Sequence, residues 1–214
     1  MFSDMRSRHY KKALVAVAVL VTLALFAEEA FAPSEPQPRT LSCAPDEIAS
    51  AAVLDPLDPQ QRTLAVHLAR RFQVPDEDAG LAVFAAYRAA LKVGLDPLLV
   101  LAMISIESSF NAAAESSMGA KGLMQIIPRF HLAKLEEHGG EDAVLDPESN
   151  IVVGTRILQE YVHRTGSLEA GLQQYNGASR DESAQYSQKV MAERSRLERV
   201  LRRTQVTALD SQGG

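Results

Sequence analysis

The sequence predicts a mainly α-helical domain, and three observations carry that reading. Apolar residues recur at helical spacing in successive segments, helix-starting and helix-stopping residues bracket those segments, and no alternating run is long enough to mark a convincing strand. At 214 residues with 46% apolar content the chain can hold one ordinary domain plus an extension, which excludes disorder throughout. No internal repeat or Gly-rich phosphate loop is present, so repeat architectures and nucleotide folds drop out.

The elements follow in order. A first helix is expected from near Pro59 to Phe72, with Leu64, Val66, Leu68 and Phe72 on its apolar side, ending at Val74-Pro75. Asp76-Glu77-Asp78 places negative charge on the first turn of a second, which carries Leu81, Val83, Phe84, Tyr87, Ala90 and Leu91 and stops at Gly94. Asp96 as N-cap and Pro97 at the first helical position open a third. This run, Pro97 to Ile104, is apolar all round and reads as a buried core helix. After Phe110 come small residues and glycine without a period, a loop expected to fold back over the end of the third helix. Ile126-Ile127-Pro128 leads into a helix through Phe130, Leu132 and Leu135, closed by Gly139-Gly140. Asp146-Pro147 opens another, with Ile151, Val152, Ile157, Leu158, Tyr161 and Val162 on one side before Gly166. Ser167-Leu168-Glu169-Ala170 starts a short one ending in Tyr175-Asn176-Gly177, and a long final helix runs from about Asp181 to Arg203, Arg-rich in its later turns.

Ahead of these elements, Met1 to Ala32 has the parts of a secretory signal: a basic start, an apolar core from Ala13 to Phe26, and small residues at Ala30-Phe31-Ala32. That core is shorter than the ~18 to 20 residues a spanning helix needs, although Pro33 would follow the scissile bond and makes a poor junction. An exported, periplasmic protein is expected, with inner-membrane tethering as the alternative if the signal is retained. Residues 33–60 are rich in proline and read as a linker or arm containing the single cysteine, Cys43, which allows no internal disulfide. The net charge of −5 becomes −6 without the signal and gives no support to a nucleic-acid partner.

Chemistry concentrates at Glu107, at the far end of the apolar helix. Apolar surroundings and the negative end of the helix dipole both disfavour its charged form, and a carboxyl that stays neutral is a general acid. From this segment alone a plain helix-end carboxylate in solvent is equally open. The other acids offer little as a second catalytic carboxylate: Glu115 lies in a small-residue loop, Glu136, Glu137, Glu141 and Asp142 read as solvated surface, and Asp146 has a capping role. A lone acid suits a reaction in which one residue gives a proton and takes one back, with a substrate hydroxyl as the internal nucleophile.

Gly122 would let the backbone approach a flat ligand, with Met124 as an adaptable apolar wall and Gln125 as a two-way hydrogen-bonding group. Tyr175-Asn176-Gly177 is either a helix cap or a polar pair that orients a substrate group. His67, His131, His138 and His163 form no ligand pattern, so no metal and no cofactor are expected.

Taken in order, Glu107-Ser108-Ser109-Phe110-Asn111, Ser116, Gly119 to Pro128, Asp146-Pro147, Asn150-Ile151, Gly154, Tyr175-Asn176-Gly177 and Tyr186 resemble the motifs of the soluble-type (SLT) lytic transglycosylases, over about Ala89 to Met191. The resemblance implies a lysozyme-like, goose-type/SLT helical domain with at most a very small β element. It further implies a metal-free periplasmic enzyme that cuts the β-1,4 bond between N-acetylmuramic acid and N-acetylglucosamine in peptidoglycan glycan strands, leaving 1,6-anhydromuramoyl ends. Glu107 matches the family's catalytic acid and base, Ser116 and Gln125 match residues contacting the muramoyl sugar, and Tyr175 matches the tyrosine beside the acid; Asn176 and Tyr186 also fall on motif positions. Departures are Gln174 and Ala178 around the Tyr-Asn pair, Ala112 in place of a proline, and Ile127 in place of a methionine. The domain expectation is therefore a signal or anchor at 1–32, an arm at 33–60, a catalytic domain at 61–205 with its motif core at 89–191, and a tail at 206–214. Two rivals stand beside the transglycosylase: a goose-type-lysozyme-like hydrolase, and a glycan-binding scaffold of a wall-spanning secretion or conjugation machine.

Overall fold

The computed structural model describes residues 57–178 and 183–212, with side chains to residue 205. The segment expected to be a signal, most of the expected Pro-rich arm with Cys43, and Asp181 lie outside the described residues. Among the described residues seven α-helices follow one another: α1 Pro59–Phe72, α2 Asp76–Val93, α3 Pro97–Glu107, α4 Leu132–Glu136, α5 Pro147–Thr165, α6 Leu168–Tyr175 and α7 Gln185–Gln212. Among the described residues there is no named strand, only two isolated antiparallel bridges, Glu115 to Lys121 and Lys121 to Ile126.

The expected start and stop chemistry operates at nearly every junction. Asp58 and Gln61 form a reciprocal capping box on α1. Asp96, Asp146 and Ser167 accept backbone N–H groups at the starts of α3, α5 and α6. Gly94 and Gly166 close α2 and α5 in the left-handed conformation. The segment after Ile127 is broken, not continuous: Pro128–Phe130 is a single 3-10 turn that precedes α4. A second 3-10 turn, Glu141–Leu145, buries Val144 and leads into α5. The final helix runs on to Gln212, through the stretch read from sequence as a tail, because no proline or glycine interrupts it before Gly213.

Core packing departs from the sequence expectation on α2. Leu81 and Leu91, placed on its apolar side from sequence, are exposed, and the buried face is Ala79, Gly80, Ala82, Val83, Ala85, Ala86, Ala89 and Ala90. Helix α2 packs against α1, α3 and α5, and small residues let helix axes approach closely from several sides where leucines would hold them apart. Helix α3 is the centre of the domain, with every residue from Leu98 to Ser105 buried between α2 and α7.

The end of α3 is what places Glu107. Ser108 caps the helix, its N–H and hydroxyl both donating to the Ile104 carbonyl. The next two residues, Ser109 and Phe110, both adopt left-handed backbone angles, φ 52° and 63°. Each such non-glycine residue costs about 1–2 kcal/mol. The reversal swings Phe110 back into the core, where its ring stacks on Phe72 at 5.3 Å, and burial of a phenylalanine returns about 1.5–3 kcal/mol. Glu107 is left at the turning point, on the edge of the core.

Candidate functional site

Glu107 lies in a cleft of about 470 Å3 whose lining includes Ser116, Gln125, Tyr161, Tyr175 and Asn176. It is the only carboxylate of the lining among the described residues. Burial raises its pKa, and a hydrogen bond from the Tyr186 hydroxyl to Oε1 pulls in the other direction without cancelling the effect. Tyr186 is itself buried, on the first turn of α7, and its own pKa is pushed far up by burial and by the neighbouring carboxylate.

A larger groove of about 860 Å3 lies along α2 and α5 and shares no lining residue with this cleft. Its acids are already engaged: Glu148 pairs with Arg88 at 3.1 Å, Glu137 with Arg156 at 2.6 Å and Glu160 with Lys134 at 2.8 Å. Volume therefore does not single it out as the reactive site. Glu115, the remaining loop acid, is exposed and lies 3.8 Å from Lys121.

The loop facing Glu107 is held by one buried amide. Asn150 on α5 accepts the Met124 N–H at 2.8 Å and donates to the carbonyls of Val144 at 2.8 Å and Lys121 at 3.0 Å. Three of its four hydrogen-bonding positions are used, so this side chain fixes the loop's shape. Gly122, at φ 76°, has no room for a side chain, because a Cβ would stand 2.3 Å from Asn150 Nδ2 and 2.8 Å from the Val144 carbonyl. The sequence reading assigned that close approach to a flat ligand; the structure gives it to Asn150.

Met124 also differs from expectation. Its side chain is fully buried and packs on α5, where Gly154 leaves the space and Thr155 points its hydroxyl at the sulfur at 3.9 Å. It supports the cleft from below and does not line it; only its backbone faces that way, accepting the Tyr175 hydroxyl at 2.8 Å. Alternation along this tight loop sends Met124 inward and Gln125 outward, with Gln125 at φ 48°. The Gln125 amide donates to the carbonyls of Ala114 and Gly122, both at 3.1 Å, which leaves its carbonyl oxygen for the cleft. Ser116 Oγ accepts the Ala120 N–H at 3.0 Å and keeps its own proton to donate.

Tyr175 closes α6, its ring edge-on to Tyr161 at 6.3 Å. Its pKa is raised by burial and by the charge of Glu107, so it remains a phenol. Asn176 is the C-cap of α6 and an exposed part of the lining. Of the residues singled out from sequence, the cleft gathers Glu107, Ser116, Gln125, Tyr175 and Asn176; Tyr186 reaches it through Glu107. Asn150 had no assigned role in the sequence reading, and a buried helix-first-turn asparagine just after an Asp-Pro start is the signal that could have found it.

Residues 84–196 match the family described as the Transglycosylase SLT domain. A transglycosylase of Enterobacteria phage PRD1 is 36% identical over 91 residues, covering 42% of this chain and 32% of that protein. A membrane-bound lytic murein transglycosylase C of Photorhabdus laumondii is 34% identical, covering 43% of this chain and 30% of its own length. The chain thus spans about a third of the length of these relatives. Among solved structures, an inactive mutant of the lytic transglycosylase Slt from Pseudomonas aeruginosa aligns at a TM-score of 0.49 and 20% identity, over 55% of this chain and 24% of that one.

Proposed function

From the premise that the chain belongs to the transglycosylase SLT family, we propose that it is a peptidoglycan lytic transglycosylase in which Glu107 acts first as acid and then as base. The observation that carries this reading is the pairing of one carboxyl whose pKa burial raises with one hydroxyl donor, in a cleft where no second acid lines the wall among the described residues.

Tyr186 occupies Oε1 of Glu107 and leaves the other carboxyl oxygen, with its proton, to the glycosidic oxygen between N-acetylmuramic acid and N-acetylglucosamine. As the C1–O bond breaks, that proton passes to the leaving oxygen and the muramoyl acetamido group supports the cationic centre. The carboxylate so formed accepts the hydrogen bond from Tyr186 more strongly, which offsets part of the cost of a buried charge. The muramoyl O6 then attacks C1 and returns its proton to Glu107, closing the 1,6-anhydro ring with no water consumed. The substrate's own hydroxyl supplies the nucleophile at high effective concentration, which is why one carboxylate suffices. Ser116, Gln125, Tyr175 and Asn176 supply donors and acceptors for the sugar.

An envelope location fits a glycan-strand substrate, and export through the N-terminal segment is part of the proposal. No helix among the described residues is long and apolar enough to cross a membrane. The test is product mass after digestion of purified peptidoglycan. Anhydro ends that disappear in Glu107→Gln support the reading; reducing muramic acid ends, one water heavier, move it to a hydrolase; retention of cellular function by Glu107→Gln moves it to a scaffold.

A further inference from the structure

At the mouth of the Glu107 cleft stands an aromatic ring that packing does not require. The sequence runs one expected helix through Phe130, Leu132 and Leu135, but only Leu135 enters the core, while Phe130 is 66% exposed. Met118 is exposed to the same extent, and both residues line the cleft together with Glu107. Exposed apolar side chains clustered on the rim of a polar cleft mark a binding surface.

The ring is also held in place. Buried Pro128 anchors the 3-10 turn that ends at Phe130. The Arg129 guanidinium lies over one face of the ring, 4.7 Å from its centroid, and donates from Nη1 to the Met118 carbonyl at 3.3 Å. One arginine thereby joins both lips of the cleft and covers one face of the ring, leaving the other face open.

We infer that Phe130 is a saccharide-stacking residue, whose open face takes the C–H face of a pyranose ring of a glycan strand lying in the cleft. The assignment rests on the glycan-cleaving reading above. A phenyl ring offers flat apolar area and no hydrogen bond, which matches a sugar's C–H face and not its hydroxyl edge. Capture of a stem-peptide carboxylate fits less well, since Arg129 is laid against the ring and the Met118 carbonyl, and Lys121 faces Glu115.

The probe is a series of peptide-free N-acetylglucosamine–N-acetylmuramic acid oligomers titrated into full-length Glu107→Gln protein, alone and combined with Phe130→Ala, Phe130→Leu or Phe130→Trp. Stacking predicts affinity about 3- to 10-fold weaker in Phe130→Ala, little recovery in Phe130→Leu, and full recovery in Phe130→Trp. In the otherwise native enzyme Phe130→Ala raises KM while the anhydro product stays the same. Matching thermal melts are expected because the side chain is exposed. Equal affinities in all four proteins overturn the inference, as does recovery by leucine equal to that by tryptophan. An effect confined to peptide-bearing strands overturns it in favour of a peptide contact. Absence of anhydro product from the wild type is a separate result, which removes the functional reading itself and this inference with it.

Discussion

Two glutamates, half-buried Glu107 on α3 and buried Glu193 on α7, stand on helices that pack against each other and have opposite surroundings. Glu193, 5% exposed, is gripped by Arg71 through two hydrogen bonds and has Arg196 at 3.6 Å. Its charge is matched, and it ties α1 to α7. Glu107 has no ion pair among the described residues and takes only the Tyr186 hydroxyl. Burial with a counter-charge yields a fastener; burial without one, beside a cleft, yields an acid.

The largest expected effect breaks the comparison at Glu107, the proposed acid. Glu107→Gln should lower turnover of purified peptidoglycan about 1,000-fold while the fold persists, as measured by release of anhydro products. Glu193→Gln should do the reverse. It leaves Arg71 and Arg196 without their partner and should cost about 1–3 kcal/mol in denaturant unfolding, discounted because Arg71 can turn to water. Activity per folded molecule should survive; a collapse of turnover at full stability would show that Glu193 belongs to the chemistry.

Tyr186→Phe sharpens the contrast through pH. The lost hydrogen bond is the influence that lowers the Glu107 pKa, so that pKa should rise further. Glu107 must be protonated to start the reaction, hence the alkaline limb of the rate profile should move to higher pH, with a maximal rate about tenfold lower. A limb that moves to lower pH would mean that Tyr186 does not act on Glu107 in this way. The smallest effect is on stability. Glu107 holds its proton to higher pH when folded than when unfolded, so the native state loses stability as pH rises from the ordinary carboxylate range through the raised value. Glu107→Gln is free of that loss. Its melting temperature should equal the wild type's in acid and exceed it by about 2–4 °C above the window.

Most of the fold was legible because helix ends are local chemistry. Asp58, Asp96, Asp146 and Ser167 sit beside the N–H groups they cap, and Gly94 and Gly166 supply the left-handed exits, all within a few residues of chain. Leu81 and Leu91 misled because spacing identifies an apolar face but not whether neighbouring helices approach closely enough to want alanines there. The break after Phe130 was not legible either: one helix was expected through Phe130, Leu132 and Leu135, whereas Pro128–Phe130 forms a 3-10 turn whose last side chain lines the cleft.

In the site, the sequence by itself determined that a carboxyl would end an apolar helix, and that a Gly-Leu-Met-Gln loop and a Tyr-Asn pair would follow in the order the SLT motifs require. Those are properties of neighbouring residues and of motif order, and they survive without coordinates. Only the tertiary structure decided that Met124 turns inward while its carbonyl holds Tyr175, that Asn150 fills the space beside Gly122, and that Tyr186 comes from α7 to meet Glu107, 79 positions apart. Each of these depends on which side chains share a few ångströms after packing. The same holds for Glu193, whose cation arrives from α1, 122 positions away, and makes it a fastener.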